Sequence, residues 1–155
     1  MIQEGQVVSV NISAGKGEKK KPLGGQGELI AGYGLKGDGH SGKGHRQVSL
    51  LAIESIEKIR RSGLEVSCGD FAENITTSGL NLPDLQPGQQ IRIGREIALK
   101  VTQIGKVCQD RCAIYYQAGD CIMPKEGIFA EVISGGKIKA GDRINIIPYN
   151  GSLSF

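Results

Sequence analysis

Three of the chain's four cysteines, Cys108, Cys112 and Cys121, fall in one stretch, KVCQDRCAIYYQAGDCIMPKE, Lys106–Glu126. Sulfur gathered into one segment serves either a metal cage or a reactive thiol. A structural zinc site takes two close cysteine pairs, or a cysteine pair and a histidine pair. Cys108-x3-Cys112 is one acceptable pair and Cys121 a lone third ligand, while Cys68, His40 and His45 lie far back in the chain. The spacing through Cys121 matches none of the common iron–sulfur patterns, and three intervening residues rule out a Cys-x-x-Cys redox pair. The remaining chemistry is a nucleophilic or metal-ligating thiolate. Arg111 adjoins Cys112 and Lys106 lies near Cys108, and a neighbouring cation favours the thiolate form. Cysteine also serves as a small apolar core residue. That role is the expectation for Cys68 and Cys121, and function is the expectation for Cys108 and Cys112.

A second constellation lies upstream in GDGHSGKGHRQ, Gly37–Gln47. Its first seven residues fit the phosphate-cradling G-x-x-x-x-G-K pattern, but Gly44 stands where a Ser or Thr must bind magnesium. Without a long preceding strand or a helix beginning at Lys43, the nucleotide reading fails. Asp38, His40, Lys43, His45, Arg46 and Gln47 remain on a Gly-rich loop. Two readings stay open: a turn with hydrogen-bonded histidines, or an anion site where cations and bare backbone amides converge.

The elements that must position these residues read as mainly β. Glycine contributes 24 residues, tryptophan none, and aromatics only 5% of the chain, so tight turns separate short apolar runs. Gln6–Ile12, Ile91–Ile93, Ile97–Ile104, Ile128–Ile133 and Arg143–Ile147 have the β-branched or alternating character of strands. Ser13–Lys21 reads as a solvated basic loop. Val48–Ser62 is predicted as the one main helix, from Leu50, Ile53, Ile56 and Ile59, with Ser49 as N-cap and Gly63 as its stop. Glu73 and Asn74 sit in a turn where local backbone bonding is the first expectation and a polar pocket edge the second. Pro87-Gly88 and Ala140-Gly141-Asp142 each precede an R-I-x-I strand, which points to two related corners of a barrel. Residues 1–147 read as one domain and 148–155 as a tail.

The chain carries 39% apolar and 23% charged residues and a net charge of +3. That balance suits an anionic small molecule better than nucleic acid, which calls for denser Lys/Arg and interleaved aromatics. No apolar run reaches membrane-spanning length, and MIQEGQVVSV lacks the features of a signal peptide. The expectation is a cytoplasmic protein with no membrane partner and with reduced thiols.

Taken in order, GLKGDGHSGKGHRQVSLL, GDFAENITT, TQIGKVCQDRC, CIMPKEGIFAEVI and IKAGDRI resemble the MOSC domain, the family named for the C-terminal domain of molybdenum cofactor sulfurase. The resemblance runs from about Val7 to Ile147 and is to its small stand-alone bacterial members. It implies a strongly twisted, barrel-like β fold with few helices. It also implies a role around the molybdenum cofactor (molybdopterin) or sulfur transfer. The family's key cysteine falls at Cys112 after Arg111, which implies a molybdenum ligand or a persulfide carrier. A Cys-His pair common in the family is Cys108-Gln109 here, so the neighbouring imidazole is missing. Asp38, His40, Lys43, His45, Arg46, Gln47, Glu73 and Asn74 match positions that would line a pocket for the phosphate and pterin.

Three functions follow. The first is a cofactor-handling module with Cys112 on molybdenum and Lys43, His45 and Arg46 near the phosphate. The second is a sulfurtransferase-like carrier in which Cys112, with Cys108 and Arg111, passes sulfur as a persulfide. The third is a structural or regulatory partner of a cofactor-biosynthesis enzyme, its cysteines serving zinc or the core. The chain lacks the pyridoxal-phosphate domain that a full sulfurase needs, so sulfur would come from a partner such as a cysteine desulfurase and go to a molybdoenzyme.

Overall fold

The computed structural model describes residues 3–13, 19–39, 41–42, 44, 46–105 and 126–148. Among these residues eleven strands and one α-helix follow in the order β1 (Gln3–Ile12), β2 (Lys21–Pro22), β3 (Gly27–Ile30), β4 (Gly34–Leu35), β5 (Val48–Ala52), α1 (Ile53–Arg61), β6 (Ile75–Ser78), β7 (Gln90–Ile93), β8 (Ile97–Ile104), β9 (Ile128–Ser134), β10 (Gly136–Ile138) and β11 (Arg143–Ile146), with a single 3-10 turn at Leu82–Asp84. Seven of them close a mixed barrel in the order β11-β7-β8-β9-β5-β6-β1, with β1 pairing back onto β11. Among the described strands only β5 and β6 run parallel, and α1 supplies the crossover between them that a parallel pair requires. Strands β10, β3 and β4 form a small second sheet, and β2 extends the edge beside β1.

The barrel closes because each long strand offers alternate residues to one interior. Val7, Leu50, Ile75, Ile91, Leu99, Val101, Ala130 and Ile144 all belong to the buried cluster that fills it. The two echoing R-I-x-I strands, β7 and β11, pair with each other, with Ile93 opposite Ile144 and Ile91 opposite Ile146. The β8–β9 ladder is broken by two register shifts, at Ala98/Leu99 and Val101/Gln103, which sharpen the local twist.

The stretch 48–62 is a strand followed by a helix, and this corrects the expectation of one helix throughout. All five residues of β5 are buried, so no alternation marks the strand in the sequence. Leu50 enters the barrel interior, while Leu51 enters a second cluster with Ile56, Val66, Phe71 and Phe129 beneath α1. Two-sided burial mimics helical spacing across the junction. The helix N-cap is Ala52, without a side-chain cap, and Ser49 lies mid-strand. Its end is as expected, with Lys58, Arg60 and Arg61 in the last turn and the Gly63 amide donating to the Arg60 carbonyl at φ 102°. No helix among the described residues is long and apolar enough to cross a membrane.

Candidate functional site

The Gly37–Gln47 loop begins on a buried ion pair. Lys20 Nζ lies 2.8 and 3.0 Å from the two carboxylate oxygens of Asp38, and neither side chain is exposed. The Ser13 amide donates to the same carboxylate at 3.0 Å. Burial pushes the Asp38 carboxyl up, but the Lys20 ammonium, the Ser13 amide and the Asn74 side chain together hold it below the ordinary aspartate value. The sequence placed Lys20 in a solvated loop; the structure places it inside. Residues 14–18 of that loop lie outside the described residues.

Within the loop, the amides are already committed. Asp38 donates to Leu35, Gly39 to Ser13, Ser41 to Asp38 and Gly42 to Tyr33, all carbonyl oxygens at 2.7–3.2 Å. The Ser41 hydroxyl donates to the Leu35 carbonyl. An anion held by bare amides therefore has no purchase on these four positions. Gln47 closes the loop on β9: its Oε1 accepts the Val132 amide at 2.9 Å and its Nε2 donates to the Gly44 carbonyl at 3.1 Å. A Cβ at Gly34, whose φ is 123°, would fall against the Gln47 carbonyl, so β4 passes the loop at glycine-only distance.

Arg46 points the loop at the root of the cysteine segment. It is exposed, its Nε donates to Gln103 Oε1 at 3.0 Å, and its guanidinium carbon sits 5.3 Å from the centre of the Phe129 ring. Gln103 in turn donates from Nε2 to the Gly105 carbonyl at 2.7 Å. The Gly105 amide then donates to Gly127 at 2.7 Å, closing the β8–β9 ladder as a neck through which the chain leaves and returns. On the returning side, Glu126 accepts Ser55 Oγ at 2.8 Å and Lys58 Nζ at 2.7 Å, which ties the neck to α1.

Glu73 and Asn74 act as internal struts. Glu73 is fully buried and accepts the Gly69 amide at 2.9 Å, the Phe71 amide at 3.2 Å and the Thr76 hydroxyl at 2.8 Å. Burial raises its carboxyl above the ordinary glutamate value, and these bonds offset only part of that. Asn74 Oδ1 accepts the Ser49 amide at 3.0 Å, and its backbone carbonyl accepts the Asn11 amide at 2.7 Å. The pair thus sews β1, β5 and β6 together beside the loop, Glu73 through groups near it in sequence and Asn74 through strands far from it.

Of the residues singled out in the sequence, Asp38, Arg46 and Gln47 meet on one loop, with Glu73 and Asn74 behind it. His40, Lys43, His45, Cys108, Arg111, Cys112 and Cys121 lie outside the described residues. Cys68 is a half-buried free thiol. No cluster of three His, Cys, Asp or Glu able to hold a metal occurs among the described residues. Sequence reasoning missed Lys20, Gln103 and Glu126. A buried Asp38 demands a cation, but nothing in sequence spacing says which of several lysines answers. Gln103 carries a faint signal as the polar end of an otherwise alternating strand.

The fold is similar to that of several solved structures. The YuaD protein of Bacillus subtilis matches with a TM-score of 0.73 and 19% identity, over 97% of this chain and 99% of that one. YiiM of Geobacillus stearothermophilus matches with a TM-score of 0.67 and 20% identity, over 96% and 76% of the two chains. YiiM of Escherichia coli gives a TM-score of 0.66 and 22% identity, over 94% and 71%. No match is found among curated proteins. The MOSC domain matches the sequence directly over residues 37–145, from the first residue of the Gly-rich loop to the penultimate residue of β11. With the loop, the neck and every barrel strand but β1 reached by that span, the chain belongs to the MOSC domain family.

Proposed function

We propose that the chain handles the molybdenum cofactor, gripping its phosphate with the basic side chains of the Gly-rich loop and offering Cys112 to the metal. The observation that carries this reading is the placement of Arg46 at the neck of the segment that bears Cys112. Its Nε is spent on Gln103 and its face on Phe129, and no carboxylate pairs with it among the described residues. The rest of the guanidinium fork fits a phosphate, which it recognises in a bidentate way. His40, Lys43 and His45 precede it on the same loop, where Lys43 adds a positive charge and the imidazoles are further hydrogen-bonding groups. Asp38, Gln47, Glu73 and Asn74 hold the frame, since their polar atoms are bonded inside the protein.

When bound, the cofactor supplies a redox-active metal with exchangeable oxygen and sulfur ligands. The chain's own part is to bind and orient. Arg46 fixes the anionic end, and Arg111 beside Cys112 favours the thiolate that a metal requires. A cytoplasmic cysteine desulfurase or molybdoenzyme is the matching partner class.

The test is expression in a host that makes the cofactor, followed by molybdenum and pterin analysis of the purified protein. The wild type should carry both. Arg46→Gln should lower pterin retention about tenfold or more, and Cys112→Ser should lose molybdenum. Full molybdenum loading of Cys112→Ser would sink the ligand role.

A further inference from the structure

We propose that Lys20 and Asp38 are positioning residues whose buried ion pair clamps the Gly37–Gln47 loop to the end of β1 and so delivers Arg46 to the neck. What the loop delivers Arg46 for rests on the function proposed above; the clamp itself does not.

Both side chains are fully enclosed, so neither can touch a ligand. Enclosing them is costly, because a lysine and an aspartate surrender strong hydration and an apolar pair of similar shape packs at less cost. The pair therefore has no obvious purpose as a source of stability. It has one as a source of shape. Lys20 Nζ bonds both Asp38 oxygens. Asp38 also accepts the Ser13 amide, and the Ser13 carbonyl accepts the Gly39 amide at 2.7 Å. These bonds form a closed brace between the last residues of β1 and the first of the loop. The Lys20 backbone is anchored behind, its amide donating to the Gly69 carbonyl at 2.8 Å. Gly69 then donates to Glu73.

The far end of the loop is held independently by Gln47 on the Val132 amide. Arg46 stands one residue before that second anchor. A loop fixed at both ends has one course, and its penultimate residue one place. With the first anchor slack, the Ser41 and Gly42 bonds to Leu35 and Tyr33 and the Gln47 bond to Val132 still hold the middle and far end, the course between them is less constrained, and the Gln103 bond and Phe129 contact are made less often.

The test uses the full chain carrying Lys20→Met with Asp38→Asn. Asparagine keeps an acceptor for the Ser13 amide, and methionine keeps most of the lysine stem, so charge is removed with little change in shape. Amide exchange at Gly39 and Gly42 should speed up about tenfold or more. The Arg46 Nε–H resonance should lose the ring-current shift imposed by Phe129, while the thermal midpoint stays close to that of the wild type. Asp38→Asn alone is the second variant and should show the same two signatures. Unchanged exchange and an unchanged Arg46 resonance in a folded variant would overturn the clamp, as would failure of both variants to fold, which would make the pair a folding requirement. In the cofactor-making host, a variant that loses the Arg46 signature should also lose pterin, and unaltered pterin would overturn the clamp's role at the site. If the wild type itself carries no pterin, the proposed function fails, and the Arg46 signature still decides the clamp.

Discussion

Arg46 and Gln103 meet Nε to Oε1 at 3.0 Å, and this contact joins the Gly-rich loop to the strand end from which the cysteine segment departs. Gln103 faces both ways, since its Nε2 holds the Gly105 carbonyl at 2.7 Å. Gln103→Met should keep the side-chain length but lose both bonds. Stability should fall by about 1 kcal/mol or less, because the contact is largely exposed. Pterin retention should fall nearly as far as in Arg46→Gln. Denaturant titration and pterin analysis of the same preparation check the two halves.

The two buried carboxylates should tilt stability with pH in opposite senses. Asp38 has a depressed folded pKa, so its contribution is present above the ordinary 3.8 and is lost as pH falls through the folded value. Glu73 has a raised pKa, so its contribution is complete below the ordinary 4.5 and is lost as pH rises through the folded value. Asp38→Asn should cost about 3 kcal/mol near neutrality, with the gap to wild type closing as pH falls below the ordinary 3.8. Urea midpoints across that range check it. A gap that widens in acid would contradict the assignment.

Gly69 is a position where a single methyl group should be ruinous. Its φ is 91°, and a Cβ there would fall on the Lys20 carbonyl oxygen, well inside contact distance. Lys20 cannot retreat, since its ammonium is committed to Asp38. Gly69→Ala should destabilise by about 2–4 kcal/mol, more than the backbone term alone. Thermal unfolding should show it, and Gly24→Ala, where a Cβ meets nothing within 4 Å, is the control.

Thr77 runs the other way. It is fully buried on β6, and its hydroxyl has no hydrogen-bond partner among the described residues. Thr77→Val removes that unsatisfied group and adds a methyl of similar size. The variant should be as stable as wild type or up to about 1 kcal/mol more stable, as measured by chemical denaturation.

Much of the fold could be read from the residues. The strand Ile97–Ile104 has the expected ends, because Ile97, Leu99 and Val101 alternate with Ala98, Lys100 and Thr102 in the sequence, although only Lys100 is exposed in the fold. The two echoing R-I-x-I corners pointed to a barrel, while the pairing of their strands with each other came only with the fold. Val48–Ala52 could not be read as a strand, because a strand covered on both faces has no polar side to mark it. At the site, sequence gathered Asp38, Arg46 and Gln47 correctly onto one loop but left their division of labour open. That division depends on burial: Asp38 and Gln47 face inward to bonded partners, whereas Arg46 stays exposed. Lys20 was illegible for a related reason. Its neighbours in sequence are lysines, and only the distant Asp38 distinguishes it.

The bond between Gly105 and Gly127 seals the barrel like a collar just below the place where the cysteine segment begins. All seven barrel strands lie among the described residues, with β8 ending and β9 beginning beside that collar, so the hydrogen-bonded ring of the body is complete without a strand from the segment that carries Cys112.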